Sequence, residues 1–382
     1  MHNSVTPSNR DNRGAVASAV IQWFSLHKRD LPWRGGSPYS VWVSEIMLHQ
    51  TRVATVAPYY IRFMEKFPAL EYLAAADIES VLRLWAGLGY YARARNMLKA
   101  AQKMRDNHDS TVPSNMEQLL ALPGVGRYTA GAVLSIGYGI PAPIVDANVI
   151  RVLSRLFGLY GDPDSTSNRA QLWALAEELV PSNQPGEFNQ GLMEIGSLIC
   201  TPAEPKCSQC PLLLYCEAEK LPDPSVLPEY APEKAIVFSV HSSAIIQNSQ
   251  GAYLIVQRPL HGLWGGLWEF PRVVCDPGEN PAVSAVRAAW EEAGVKVYVK
   301  ERLTVVKHVV MRQRITLHGF LSRLCSDVSI PRPPQNRDSR WAPLAEITDY
   351  PFSSPQSLLR ERLLTSGKAP PDLELDLTIS DN

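Results

Sequence analysis

The sequence predicts an all-α domain followed by a smaller α+β domain, and three observations carry that expectation. Apolar residues recur at helical spacing from about residue 14 to 218, and no convincing strand pattern occurs before residue 230. Residues 221–234, LPDPSVLPEYAPEK, hold four prolines and no periodicity, the composition of an interdomain linker. Beyond them the runs AIVFSVHSSAIIQ, GAYLIVQRP, VKVYVKERLTVVKHVV and RITLHGFLSRL are β-branched and aromatic, with turn residues between. A chain of 382 residues is long enough for two domains that each bury a core.

The helical part divides at Pro and Gly breaks into runs at 15–27, 41–50, 53–67, 77–84, 92–105, 116–121, 127–136, 147–156 and 169–179. In the first of them Val16, Val20, Trp23 and Phe24 fall on one side. One helix, 281–293, interrupts the strands of the second domain. The boundaries that follow are 14–218 for the helical domain, 219–235 for the linker, 236–366 for the α+β domain and 367–382 for an acidic, disordered tail.

Composition excludes several classes. A hydrophobic fraction of 45% with 20% charged residues belongs to a globular protein, and no apolar run approaches the length of a membrane span. The polar start MHNSVTPSNRDNRG lacks an apolar leader and reads as a disordered tip of a cytoplasmic protein, nucleoid-associated if bacterial. A formal net charge of −1 gives no sign of nucleic acid, so a DNA-binding surface must rest on local charge. One candidate is the run at 92–105, which spreads Arg93, Arg95, Lys99, Lys103 and Arg105 along a helix. Such a run is either a solvated face or a phosphate contact.

Four of the six cysteines stand close together as Cys200-x6-Cys207-x2-Cys210-x5-Cys216. A disulfide knot belongs to small secreted domains. Zinc sites usually bring two short Cys-x2-Cys-type pairs to one ion, and only Cys207/Cys210 forms such a pair. Four single thiolates with uneven gaps suit the four irons of a 4Fe–4S cluster, with zinc as the alternative. Cys275 and Cys325 read as buried small hydrophobes.

Two carboxylates and a hairpin complete the chemistry-bearing residues. Gly124 and Gly126, in Leu122-Pro123-Gly124-Val125-Gly126, permit a tight turn between helical runs whose exposed amides can hold a DNA phosphate. Asp146 follows Ile144-Val145 and opens a helix, a position where an Asp caps the first turn and is fixed in space. Glu45 lies among Val41, Val43, Ile46, Met47 and Leu48. A carboxyl that loses its solvation there holds its proton at higher pH.

The hairpin, the aspartate and the cysteine array together resemble the helix–hairpin–helix glycosylases of the endonuclease III superfamily. The motifs LPWR, SEIMLHQT, GLGYYARARN, LPGVGRYTAGA, VDANV and NQGLMEIG resemble the MutY-type members, which act on adenine. The resemblance implies an all-α helix–hairpin–helix glycosylase domain with an iron–sulfur loop, and as partner double-stranded DNA containing A:8-oxoguanine or A:G mispairs, bound by a monomer. It implies base flipping, with Glu45 protonating adenine N7 and Asp146 stabilising the oxocarbenium-like sugar, either as an ion partner or through a transient covalent bond. Tyr128 and Asn148 would support the sugar and the catalytic Glu. Gln190 would hydrogen-bond the extruded adenine, Arg34 would contact the base or DNA, and Gln50, Thr51, Leu88 and Tyr90 would fill or probe the gap in the stack. Core packing is the competing role for Leu88 and Tyr90. Bifunctional members carry a lysine two positions after the second hairpin glycine. Here that position is Tyr128, so no Schiff base can form and the resemblance implies a monofunctional enzyme. His49 stands where the family usually has Gln.

VRAAWEEAGV (286–295) resembles a Nudix-box helix, with Arg287, Glu291, Glu292 and Gly294 in place. Ala288 replaces its first glutamate and Val273 its leading glycine, which implies a Nudix-like recognition domain without pyrophosphate hydrolysis. The family reads 8-oxoguanine with a Phe-Ser-His loop two residues after a His. Here His308 is followed by Val310-Met311-Arg312, which implies a weaker preference for 8-oxoguanine or another reading group such as Arg312 or Gln313. Rival readings are a mismatch glycosylase of the same superfamily releasing another base such as thymine, a non-catalytic iron–sulfur DNA-binding protein, and a Nudix hydrolase.

Overall fold

The structure, a computed structural model, describes residues 12–232, 235–260, 262–326 and 337–365. The expected disordered tip and tail fall outside the described residues, apart from the first few residues beyond Asp11. The chain divides into two compact units. The first takes the described residues through Ala76 together with Asn96–Pro232, and the second takes Asp77–Arg95 with the described residues from 235 onward.

The first unit is helical. Its elements are α1 (Arg13–His27), α2 (Pro38–Leu48), α3 (Val53–Lys66), the short α4 (Leu70–Ala74), most of α6 (Ala92–Asn107), α7 (Met116–Leu120), α8 (Arg127–Ala132), α9 (Ala147–Phe157), α10 (Thr166–Leu179) and α11 (Pro185–Leu198). The periodicity of α1 is realised, since Val16, Val20, Trp23 and Phe24 are buried and join a core with Val149, Leu153, Leu175, Phe188 and Ile195. Side-chain caps start α2 at Ser37, α9 at Asp146 and α10 at Ser165, each accepting from an amide three residues on. α8 runs into a π-helical turn at Val133–Gly137, a one-turn widening that shows in no sequence period.

The helix α11 is absent from the sequence-based list. Its stretch PGEFNQGLMEIG carries three glycines, which lower intrinsic helix propensity. Tertiary packing reverses that: a Cβ at Gly196 would stand 2.7 Å from Asn148 Cβ, so only glycine lets α11 lie against α9. The propensity lost locally is recovered as close contact between α9 and α11.

The second unit contains α5 (Ile78–Trp85) and an α+β fold. Its strands are β1 (Val237–Gln247), β2 (Tyr253–Gln257), β3 (Trp268–Glu269), β4 (Arg272–Val274), β5 (Val297–Val310), β6 (Gln313–Leu324) and β7 (Ser339–Ala342), with helices α12 (Pro281–Ala293) and α13 (Ser354–Thr365). The sheet runs β3-β2-β1-β6-β5, with β4 added to β1 and β7 to β2. β1 and β6 are parallel, pairing Val237 with Gln313 through Gln247 with Arg323, and β5 and β6 form an antiparallel hairpin. α12 contributes Ala285, Ala289 and Ala293 to a core with Ala244, Ile246, Leu254 and Phe320. The four long strand runs and α12 fall where the sequence places them. The short β3, β4 and β7 and the helix α13 do not show in it. Cys275 is half-buried and Cys325 is exposed, so neither is the buried hydrophobe expected of it.

Candidate active site

Glu45 sits on α2 with 4% of its surface exposed, one turn before the helix ends. Burial pushes its carboxyl up to about 7, and the charge of Asp146 adds to that push. The hydrogen bond from Tyr128 and the charge of Arg34 oppose it. The Tyr128 hydroxyl donates to Glu45 Oε2 at 2.6 Å and also reaches Met193 Sδ at 3.3 Å. With Oε2 accepting that bond, Oε1 is the oxygen better placed to carry the proton of a neutral Glu45. Burial likewise drives Tyr128 well above its ordinary range, so it stays a donor at any working pH.

Asp146 caps α9, accepting from Val149 N–H at 2.7 Å through Oδ1 and from Asn148 Nδ2 at 3.0 Å through Oδ2. Burial raises its carboxyl, while those two donors and the Arg151 charge lower it. The N-cap reading and the site reading therefore describe one carboxylate. Capping fixes it, and Glu45 lies within electrostatic reach.

The hairpin is formed as expected. Gly124 has φ +76, which favours glycine, and a Cβ there would stand 2.8 Å from Asn96 Cβ. Gly126 is the N-cap of α8 and is exposed. His49 Nε2 and Thr129 Oγ1 hydrogen-bond at 3.1 Å, so α2 and α8 are tied both through His49 and through Glu45–Tyr128.

Arg34 and Gln190 are brought together, since the guanidinium donates to Gln190 Oε1 and to Glu194 Oε1, while Gln190 Nε2 donates to Gly186 O at 3.0 Å. The Gln190 amide is thereby oriented, oxygen toward the arginine. Glu194, 3% exposed and also accepting from Arg29 N–H at 3.2 Å, was not singled out from sequence. Its position one turn beyond Gln190 on the same helix was the available signal. Gln50 is exposed with φ +55, and Thr51 is half-buried beside it. In the second unit Leu88 is buried at 5% and Tyr90 is 42% exposed, so of these two only Tyr90 presents its ring to solvent.

Two further arginines escaped the sequence reading. Arg151 donates to Asn148 Oδ1 at 2.8 Å, to Gly196 O at 2.7 Å and to Cys200 O at 2.7 Å. Arg155 donates to Thr201 O at 2.7 Å, Pro202 O at 2.8 Å and Leu227 O at 2.8 Å, and lies 3.4 Å from Cys200 Sγ. A continuous chain of hydrogen bonds thus runs from Asp146 through Asn148 and Arg151 to the loop that begins at Cys200. Two arginines at i and i+4 inside the apolar run of α9 were the signal for it.

Among the described residues no three His, Cys, Asp or Glu side chains are gathered as ligands of one ion. The four thiols do lie within electrostatic reach of one another. Burial raises Cys207 and Cys216 and pushes Cys210 up to about 12, and the Cys200 thiol adds to the rise of each. In the second unit Glu279 and Glu291 face Arg287 at 2.6 and 3.4 Å, and Glu292 faces Arg337 at 2.7 Å. The glutamates of the Nudix-like helix are thus neutralised by guanidiniums.

A buried carboxyl on one helix, a capping carboxylate on another and a glycine hairpin between them are the parts of a base-excision glycosylase domain. The HhH-GPD superfamily base excision DNA repair protein family matches residues 43–178, and the NUDIX domain family matches residues 243–362. The adenine DNA glycosylase of Schizosaccharomyces pombe is 36% identical over 398 aligned positions, covering 86% of this chain and 85% of that protein. The adenine DNA glycosylase of Homo sapiens is 40% identical over 320, covering 70% of this chain and 59% of that protein. The chain belongs to the adenine DNA glycosylase family. It spans about three fifths of the length of its mammalian relatives. A solved thermostable thymine-DNA glycosylase matches with a TM-score of 0.50 and 33% identity, over 54% of this chain and 96% of that one.

Proposed function

We propose that the protein is a monofunctional DNA glycosylase that hydrolyses the bond between adenine and deoxyribose where adenine is mispaired with 8-oxoguanine or guanine. The observation that carries this reading is Glu45, a carboxyl buried against Tyr128 and held protonated to near-neutral pH, in reach of the capped Asp146.

Glu45 donates the proton from Oε1 to N7 of the flipped adenine. The glycosidic electron pair leaves with the base, and the positive charge develops on the sugar. The Asp146 carboxylate stabilises that charge. Water then adds at C1′ and gives its proton to the Glu45 carboxylate, which restores the acid. Arg34 and Gln190 orient the base, with Glu194 holding the arginine. Tyr128 supplies no amine, so attack on the sugar by the protein through nitrogen is absent.

The four cysteines fit a 4Fe–4S cluster, because a cube takes one thiolate per iron and does not ask four sulfurs to converge on a point. Bound there, the cluster supplies a rigid cross-link of the loop. Arg151 and Arg155 hold that loop's carbonyls, and Arg151 alone passes its position to Asn148 and through it to Asp146.

In the second unit the β5–β6 turn presents Met311, 69% exposed with φ +51, beside exposed Arg312. His308 is half-buried near Trp264, with burial lowering its pKa. Without hydroxyl or imidazole at the tip, either the preference for 8-oxoguanine is weaker than the family's or another group such as Arg312 or Gln313 reads it.

The test is incubation of the purified protein with duplexes carrying A opposite 8-oxoguanine, A opposite G and T opposite G, split into samples with and without hot alkali. Strand scission only after alkali, at adenine and with modest preference for 8-oxoguanine, is the expected result. Scission without alkali would overturn the role given to Tyr128, and scission at thymine alone would favour the thymine-releasing reading.

A further inference from the structure

The loop between α5 and α6 is built in an unusual backbone. Gly87, Gly89 and Tyr90 have φ of +105, +68 and +47, so three of four consecutive residues lie in the left-handed half of the map. A tyrosine adopts that conformation only where its surroundings impose it. Several bonds meet on this loop. Trp85 Nε1 donates to Gly89 O at 3.1 Å, and Gly87 N–H donates to the Tyr91 hydroxyl at 3.2 Å. Arg93 Nη2 donates to Leu88 O at 3.1 Å and to Gly89 O at 3.3 Å. The same guanidinium lies 5.4 Å from the centre of the Trp85 ring and 5.3 Å from that of Tyr90. Leu88 is turned inward and Tyr90 outward, while the carbonyls preceding and following this reversal of direction are gathered by one planar cation.

We propose that Arg93 is a positioning residue for base extrusion: its guanidinium locks the 87–90 loop with the Tyr90 ring outward, ready to enter the base stack. This rests on the reading of the protein as a glycosylase acting on flipped adenine. The first residue of the basic run at 92–105 is on this account a brace beneath an aromatic wedge, and phosphate contact is left to other residues. Opening a stacked step takes free energy that a wedge supplies only if it is held in place beforehand. Lysine keeps the charge but loses the flat guanidinium face that lies against the two rings while its Nη2 reaches the carbonyls.

Two measurements on Arg93→Lys in the full chain test this. Amide hydrogen exchange on the free protein needs no DNA activity. Faster exchange confined to residues 87–91, with the rest of the chain unchanged, is expected; unchanged exchange in the loop would overturn the proposal. Single-turnover base release is then compared on a fully paired duplex with one A:G mispair and on the same adenine inside an unpaired bubble, where little stacking opposes extrusion. The variant is expected to lose about tenfold or more on the paired duplex and less than about twofold in the bubble. Tyr90→Ala is expected to show the same pattern, and the double variant no more than Tyr90→Ala alone. Equal losses on both substrates, or additive losses in the double variant, would show a merely structural role. Wild-type protein that releases no base from either substrate would defeat the glycosylase reading, leaving the exchange result to decide the role of Arg93 in shaping the loop.

Discussion

Glu45→Gln is expected to slow single-turnover adenine release on the order of 10^3-fold while making the protein more stable at pH 8. Glutamine retains an oxygen for the Tyr128 hydroxyl but has no proton to give at Oε1. The stability change follows from linkage. The folded protein holds the Glu45 proton up to about 7, whereas the unfolded chain releases it near 4.5. Between those values the native state binds more protons than the unfolded one, so stability falls as pH rises through that window. The stabilisation is fully present below 4.5 and gone above about 7, a difference of about 3 kcal/mol. Glutamine carries no such penalty. Urea denaturation of both proteins at pH 4 and pH 8 should therefore show the variant ahead by up to about 3 kcal/mol at pH 8 and little different at pH 4. A surface-exposed, ordinary Glu45 would give no pH-dependent difference at all. The same proton predicts the activity profile, because release should decline on the alkaline side as Glu45 ionises near pH 7.

Asp146→Asn is expected to cost about 10^2–10^3-fold in single-turnover release with little loss of stability. Asparagine caps a helix about as well as aspartate, so the bond to Val149 N–H survives. What disappears is the negative charge, proposed to face the sugar as positive charge develops there, together with the acceptor of the Asn148 Nδ2 bond. Asp146→Ala separates the two functions, because it should lose both the rate and about 1 kcal/mol of stability. Equal thermal stability of the Asn variant and wild type, alongside a large rate loss, is the signature of a cap that also does chemistry. A rate close to wild type in Asp146→Asn would reduce the residue to a cap.

Much of this site is legible in the sequence because its residues sit at places that local rules mark. Asp146 follows an apolar pair and opens a helix, Glu45 interrupts an apolar run, and Gly124 of the hairpin stands where a left-handed backbone is needed. The cysteine spacing is conspicuous because four thiolates in a short loop have few other uses. What escaped depends on tertiary contact. The helix α11 looks poorly helical because of glycines whose value appears only when Asn148 packs against Gly196. Glu194 matters through Arg34, which is 160 residues away in sequence. Arg151 and Arg155 look like misplaced charges in α9 until the carbonyls of the cysteine loop are seen to surround them. Leu88 and Tyr90 are two residues apart, and the backbone reversal at Gly89 and Tyr90 turns one inward and the other outward. Sequence period cannot distinguish them, since left-handed residues break any period.

The species that leaves the DNA tests the role of Glu45 most directly. Chromatography of the small-molecule fraction after a single turnover on a duplex with one A:G mispair, for wild type and Glu45→Gln side by side, measures it directly. Free adenine from the wild type, an uncut sugar–phosphate strand and at most traces of adenine from the variant are predicted. Adenine released equally by both proteins, another base in its place, or no base at all would contradict the assignment of Glu45 as the acid that frees adenine.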